Sequence, residues 1–210
     1  MKKHFISLIF LAGGQSKRMN SKEPKQFTIL KKKKLALHSF DSLISISAID
    51  ESIVVCKPCY QAIFPKKVTF ALPGSSRQAS AFNGLKKVSK ECDFVLIHDA
   101  ARPFIQKEDI SRLIDEGIIF GAAALGVPVQ NTIKELDHKQ TVIKTLNRST
   151  LFEIQTPQLI KKSILEKGLK KAFENNLSLT DDTSFAELMN HPVKIVTGSY
   201  GNFKITTPFD

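Results

Sequence analysis

The chain has 210 residues, 42% of them hydrophobic, and a formal charge of +11 from 31 Lys and Arg against 20 Asp and Glu. That length suffices for one well-packed domain spanning residues 1–210, and no apolar run approaches a membrane span. The positive charge favours anionic partners: nucleic acid, acidic membranes or phosphorylated metabolites.

In chain order, Met1-Lys-Lys precedes an apolar run over residues 5–11, and Ala12-Gly-Gly follows it. This resembles a secretory signal, but its apolar core is at the short limit, and cleavage would remove the first strand. The expected location is therefore cytoplasmic. The run itself reads as a buried strand, being short and rich in β-branched and aromatic residues. Small residues let the backbone after it approach a ligand closely. Arg18 and Lys25 follow within the same loop. Backbone amides flanked by fixed positive charge suit a phosphate chain. No Gly-Lys-Ser/Thr closes the loop, so this is not a Walker motif. The unbroken run from Lys31 to Lys34 lies between two apolar segments and reads as a solvated turn.

Beyond it, strand-like runs at 52–56, 68–72, 94–98, 122–129 and 193–196 alternate with helix-like runs at 35–46, 77–89, 107–119, 161–175 and 181–189. Such alternation predicts an α/β fold: a Rossmann-like, mainly parallel twisted sheet with helices on both faces. Ligands of such sheets bind beyond the carboxyl ends of the strands. Two loops meet that rule, residues 12–25 and His98-Asp99-Ala-Ala-Arg102-Pro103.

Cys56-Lys-Pro-Cys59 has redox or zinc spacing, but the second half of a zinc site is absent. Together with Cys92 these read as incidental thiols of a reducing compartment. Ser76 reads as the N-cap of the helix that starts near Arg77, although the amides after Gly74 would also suit a base or phosphate. Asp99 has two readings: an ion pair with Arg102 closing a turn, or a carboxylate holding a divalent metal against phosphates. His98 reads as structural, and no nucleophile constellation accompanies it. Phosphoryl and nucleotidyl transfer can run on positioning and electrostatics without one. Residues 131–137 and 141–147 read as two short strands about a turn. A lone hairpin is marginally stable unless it packs on something, so residues 130–150 are expected to form a β-arm that packs on a second copy of the chain. Asp181 and Asp182 read as capping acids in a first helical turn, and Thr180 as open to a ligand role.

Six motifs together resemble the 2-C-methyl-D-erythritol 4-phosphate cytidylyltransferase family. They are Ala12-Gly-Gly with Lys17-Arg18-Met19 and Pro24-Lys25-Gln26; His98-Asp-Ala-Ala-Arg-Pro103; Val127-Pro-Val with Thr132-Ile-Lys134; Gln155-Thr-Pro-Gln158; Thr180-Asp-Asp182; and Gly201-Asn-Phe-Lys-Ile-Thr206. They occur in the family's order from the first strand almost to the last residue. The resemblance implies the nucleotidyltransferase fold with its hairpin arm, and transfer of a cytidylyl group from CTP to the acceptor, with pyrophosphate leaving. It implies Arg18 and Lys25 as catalytic residues, and Ala12, Gly13, Gly14, Gly74, Ser80, Asp99 and Lys204 at CTP. It implies Arg102, Thr132, Arg148, Thr156 and Thr180 at the acceptor, with Thr132 and Arg148 reaching a partner's site in a homodimer. Mg²⁺ is the implied cofactor, with Asp99 near it, and no nucleic acid or membrane partner is expected.

The chain departs from the family pattern at Ser16, where another glycine is usual, at Asn131, where an acid is usual, and at Ser75 and Ser76, which replace a carboxylate. It stops at Asp210, where relatives usually continue into a terminal helix. The ribitol 5-phosphate cytidylyltransferase branch shares the fold and chemistry; Ala101 and the arm Thr132-Ile-Lys134 look more like the methylerythritol branch. A non-catalytic, basic nucleotide- or nucleic-acid-binding protein is the reading from another class. Against it, aromatics do not interleave with the cations and no recognition-helix motif appears.

Overall fold

Strand β1 (Ile6–Leu11) buries its first five residues, so it has no solvent face. Its side chains alternate between two apolar cores. Leu8 and Phe10 enter one with Phe40, Leu43, Leu96, Ile110 and Leu113. Ile9 enters the other with Ile53, Val95, Ile97, Leu165 and Phe185. A strand apolar on both faces belongs in the middle of a covered sheet, and that is its place in this computed structural model, which describes residues 4–14 and 23–207.

After β1 come a one-turn 3₁₀ helix (Lys25–Phe27) and a small hairpin of β2 (Ile29–Leu30) and β3 (Lys33–Lys34). Then follow α1 (Leu35–Ile44), β4 (Ile49–Val55), β5 (Thr69–Ala71), α2 (Arg77–Leu85), β6 (Phe94–Asp99), α3 (Lys107–Phe120) and β7 (Ala122–Pro128). The arm is β8 (Lys134–Leu136) and β9 (Val142–Thr145). The rest is β10 (Phe152–Lys161), α4 (Lys162–Glu174), α5 (Ser184–Glu187) and β11 (Lys194–Thr197).

The main sheet has seven strands in the order β11-β7-β10-β6-β1-β4-β5. Helices α1 and α3 cover one face through Phe40, Leu43, Ile110 and Leu113. Helices α2, α4 and α5 cover the other through Ala81, Leu85, Leu165, Leu169 and Phe185. Gly121 ends α3 in the left-handed region at φ 82°, the usual way to release a helix into a strand.

The expected α/β sheet is therefore present, and it is mainly parallel. The exception is β10, which runs antiparallel between β6 and β7. The sequence pattern passes over this strand because Pro157 interrupts it, its first three residues are exposed, and Gln155, Thr156 and Gln158 break its apolar run. The fold accommodates Pro157 at an irregularity: pairing with β7 breaks between Ile154 and Gln158. Two boundaries also move. Strand β4 starts at Ile49, three residues ahead of the expected 52, and α5 is a single turn instead of the expected 181–189.

The hairpin read over residues 131–147 is present. Lys134 faces Thr145 and Glu135 faces Lys144. Asp137 closes the turn, its Oδ1 accepting from the Lys139 and Thr141 amides at 2.8 and 2.9 Å. Every residue of β8 and β9 is exposed. Among the described residues, no helix is long and apolar enough to cross a membrane.

Candidate active site

Ala12 continues the β1 line by donating its amide to the Val55 carbonyl at 2.9 Å. The backbone then turns through Gly13 and Gly14. A Cβ on Gly13 would lie 2.6 Å from the Pro73 ring, so the loop and the segment after β5 approach through a glycine. Gln26, almost fully buried, donates one side-chain amide to the carbonyls of both Ala12 and Gly14 at 2.8 Å. It thereby fixes the 3₁₀ turn that carries Lys25, which is half-buried, against the glycine loop. Arg18 and Ser16 lie outside the described residues.

The second wall is the start of α2. Ser76 caps it as expected, its hydroxyl accepting from the Ala79 amide at 3.0 Å. Ser80 donates to the Ser76 carbonyl at 2.8 Å and accepts from the Gly74 amide at 3.0 Å. Gly74 has no room for a side chain, since a Cβ would lie 2.4 Å from that of Ala79. Ser80 and Gly74 thus hold the shape of the loop between β5 and α2.

At the end of β6, Asp99 is 6% exposed and surrounded by cations. Its Oδ1 accepts from Arg77 Nε at 2.9 Å and its Oδ2 from Lys204 Nζ at 2.7 Å. Burial alone would raise this carboxyl; Arg77 and Lys204 outweigh it and hold Asp99 far below the usual carboxylate range. Asp99 thus makes an ion pair, one of its two expected readings, but with Arg77 and Lys204. The expected partner Arg102 turns elsewhere, donating to the carbonyls of Asn202 at 2.7 Å and Ile154 at 3.3 Å.

Arg77 also grips Asp182 with both terminal nitrogens, at 2.8 and 2.7 Å. This corrects the capping role expected for Asp182, which is fully buried. Asp181 keeps a capping contact, its Oδ1 accepting from the Ser184 amide at 3.0 Å. Thr180, beside them, is exposed.

His98 is structural. Burial pushes its pKa down to about 4, so it is neutral near pH 7. Its Nε2 lies 3.1 Å from the Arg102 carbonyl and its Nδ1 3.2 Å from Thr156 Oγ1. A neutral ring protonated at Nε2 satisfies both contacts, with Thr156 donating to Nδ1. The Thr156 oxygen in turn accepts the Asp99 amide at 3.0 Å. The Thr156 hydroxyl, expected at the acceptor, is therefore buried and engaged in holding the end of β6.

The polar residues at the break in β10 organise the loops around them. Gln155 donates to the Ser199 carbonyl at 2.9 Å and accepts from Asn202 at 3.1 Å. Gln158 accepts the Asp182 and Thr183 amides, both at 2.9 Å, and donates to Asp181 at 3.0 Å. One glutamine thus secures the loop that carries Lys204, and the other secures residues 181–183. Arg77, Gln158 and Asn202 are site residues beyond the expected set; the polar residues beside Pro157 in β10 were the available signal for Gln158, and Arg77 and Asn202 meet their partners only through tertiary contacts.

Arg102, Gln155, Tyr200 and Lys204 line a cleft of about 240 Å³ at this end of the sheet. A larger apolar groove of about 600 Å³, between α2 and α4, contains none of the residues singled out by the sequence. On the arm, Thr132 and Arg148 are exposed, and Arg148 donates to the Gln130 carbonyl at 2.6 Å. Leu136, Val142 and Ile143 expose apolar surface beside them.

Among the described residues, no three His, Cys, Asp or Glu side chains group to hold an ion, and both Asp99 oxygens face cations. The cysteines are free; burial raises the Cys56 thiol to about 11, which leaves little thiolate for redox chemistry.

The family model for 2-C-methyl-D-erythritol 4-phosphate cytidylyltransferase matches residues 6–210. The chain belongs to that family. It is 44% identical to the 2-C-methyl-D-erythritol 4-phosphate cytidylyltransferase of Chlamydia pneumoniae, covering 97% of this chain and 94% of the relative. It is 42% identical to the chloroplastic 2-C-methyl-D-erythritol 4-phosphate cytidylyltransferase of Oryza sativa subsp. japonica, covering all of this chain and 73% of the relative. Among solved structures, the 4-diphosphocytidyl-2C-methyl-D-erythritol synthase of Anaerococcus prevotii superposes with a TM-score of 0.87 at 27% identity, covering 99% of this chain and 95% of that one. As a cytidylyltransferase of this family, the chain presents its glycine loop, Lys25, Asp99 and Lys204 where a doubly wound sheet binds ligands.

Proposed function

We propose that this enzyme transfers a cytidylyl group from CTP to 2-C-methyl-D-erythritol 4-phosphate, giving 4-diphosphocytidyl-2-C-methyl-D-erythritol and pyrophosphate, a step of non-mevalonate isoprenoid synthesis. Membership of the family over nearly the whole chain carries this reading. A phosphate oxygen of the acceptor attacks the α-phosphorus of CTP. The bond from that phosphorus to the bridging oxygen breaks, and its electron pair leaves with pyrophosphate. No covalent enzyme intermediate is needed, consistent with a neutral, structurally engaged His98.

The backbone of Ala12, Gly13 and Gly14 receives the triphosphate, with Gly74 and Ser80 beside the base. Lys25 and Arg18 stabilise the charge that grows on the α-phosphoryl oxygens and on the departing pyrophosphate. Lys204, poised on Asp99, faces the phosphates. Mg²⁺ enters with the nucleotide as part of the substrate, since Mg²⁺ readily takes its ligands from phosphates and water. Arg102 and Thr180 border the acceptor, and Thr156 acts from beneath them by holding the end of β6. The arm packs on a second copy of the chain in a homodimer, and its Thr132 and Arg148 reach that copy's acceptor. The exposed apolar residues Leu136, Val142 and Ile143 support such packing. The reaction takes place in the cytoplasm, as the free thiols fit a reducing compartment.

The test is pyrophosphate release from CTP and Mg²⁺ with methylerythritol phosphate or ribitol 5-phosphate as acceptor. Turnover confined to the first supports this function; turnover confined to the second transfers the enzyme to the ribitol branch. Lys25→Ala and Arg18→Ala should each lower kcat roughly 100- to 1,000-fold with little change in Tm. Near-normal turnover in either would remove that residue from the catalytic role.

A further inference from the structure

Arg77 bridges two buried carboxylates of the site, Asp99 and Asp182, and the reaction as described above gives it no role. It leaves the first residue of α2, directly after the loop that Gly74 and Ser80 shape. Its Nε holds Asp99 at the end of β6, and its two terminal nitrogens hold Asp182 in the segment before α5. These are three charge-assisted bonds from one planar fork, a geometry lysine cannot reproduce. The next residue reinforces the same junction. Gln78 donates to the Leu177 carbonyl at 3.2 Å and accepts the Leu179 amide at 3.2 Å. The start of α2 is therefore tied to residues 177–182, and Thr180 lies within that span. From the other side, Gln158 secures residues 181–183 to β10.

We propose that Arg77 is a positioning residue that couples the nucleotide half of the site, Gly74 to Ser80 and Asp99, to the acceptor half around Thr180 and Asp182. The assignment of the two halves rests on the function proposed above. Because one guanidinium holds Asp99 and Asp182 together, a shift of either carboxylate moves the other's anchor. This guanidinium holds two carboxylates, one of them also paired with Lys204, so occupancy on the nucleotide side is felt on the acceptor side through the protein in addition to the contact of the reacting atoms.

The experiment uses the full chain and measures KM for CTP, KM for the acceptor, kcat and Tm, with assays well below every Tm. The variants are Asp182→Asn, Asp182→Glu, Arg77→Lys and the double variant Arg77→Lys with Asp182→Asn. Asp182 is assigned to the acceptor half, so a local role would change acceptor KM alone. Coupling predicts that Asp182→Asn raises KM for CTP as well, by about fivefold or more, and that Arg77→Lys raises both. In the double variant the CTP effect should equal that of Arg77→Lys alone, because the link is already cut. The glutamate variant keeps the charge and serves as the folded control if the asparagine variant is unstable; its displaced carboxylate should also raise KM for CTP. An unchanged KM for CTP in the folded Asp182 variants overturns the proposal, as does a lower Tm with unaltered kinetics in Arg77→Lys, or CTP effects that multiply in the double variant. A wild-type chain that releases no pyrophosphate overturns the function above and this proposal with it. A wild-type chain that turns over while CTP KM ignores Asp182 overturns this proposal alone.

Discussion

Lys204 Nζ lies 2.7 Å from Asp99 Oδ2, a pair closed between residues 105 positions apart. Arg77 holds the other Asp99 oxygen, so the carboxylate stays satisfied if the lysine is removed. Lys204→Ala should therefore spare the fold and weaken the nucleotide. The expected result is a rise of about tenfold in KM for CTP, roughly 1.4 kcal/mol, with a small change in Tm. Initial-rate kinetics and a melting curve on the same preparation check both parts.

Gly74 and Gly14 should respond oppositely to alanine. At Gly74 the new methyl would meet Ala79 Cβ at 2.4 Å and the Ala79 carbonyl carbon at 2.7 Å, and the second of these is backbone that cannot swing away. The loop must shift, at a cost of about 1–3 kcal/mol, and KM for CTP should rise with it. At Gly14 nothing among the described residues lies within 4 Å of the new methyl, so Gly14→Ala should leave stability nearly intact. Urea unfolding of the two variants side by side is the measurement.

Acid should destabilise the protein through His98. The imidazole is neutral in the folded chain with a pKa near 4, against 6.5 for the unperturbed group. Below pH 6.5 the unfolded chain takes up a proton that the folded chain refuses, so stability present above that pH is lost as pH falls towards 4. At pH 5 the loss should be about 2 kcal/mol relative to pH 7.5. Replacing the ring with an amide in His98→Asn should flatten this part of the profile, whatever it does to absolute stability. Urea unfolding at both pH values reads the difference.

The arm predictions test assembly. Ile143→Asp places a charge on an exposed apolar surface of β9. It should convert dimer to monomer in sedimentation, with the melting of the main sheet unchanged. Arg148→Ala should raise KM for the acceptor about tenfold or more while leaving KM for CTP within about twofold. Equal effects on both substrates would remove Arg148 from the acceptor.

Much of the architecture was legible because burial on two faces leaves a pattern. The runs at 94–98 and 122–129 are apolar apart from His98 and became β6 and β7 within a residue or so. Helix α2 starts at Arg77 because Ser76 caps it, as the sequence indicated. Strand β10 was not legible: its partners β6 and β7 come from elsewhere in the chain, and its own residues combine Pro157 with buried glutamines. Within the site, the glycine loop and Asp99 were legible as strand-end features. The engagement of Thr156 with His98 and Asp99 was not, because it depends on a backbone amide across a strand pair.

By itself, the sequence determined the alternation of strands and helices, the loops at the strand ends and the family, since each of these is written in local spacing or in the order of motifs. Only the tertiary structure decided that Asp99 pairs with Arg77 and Lys204 while Arg102 turns away, and that Asp182 is buried against Arg77. Residues 105 apart meet only after the sheet is assembled. A carboxylate on a surface turn and one desolvated against a guanidinium are the same letter in the chain, and burial with its partners is what separates them.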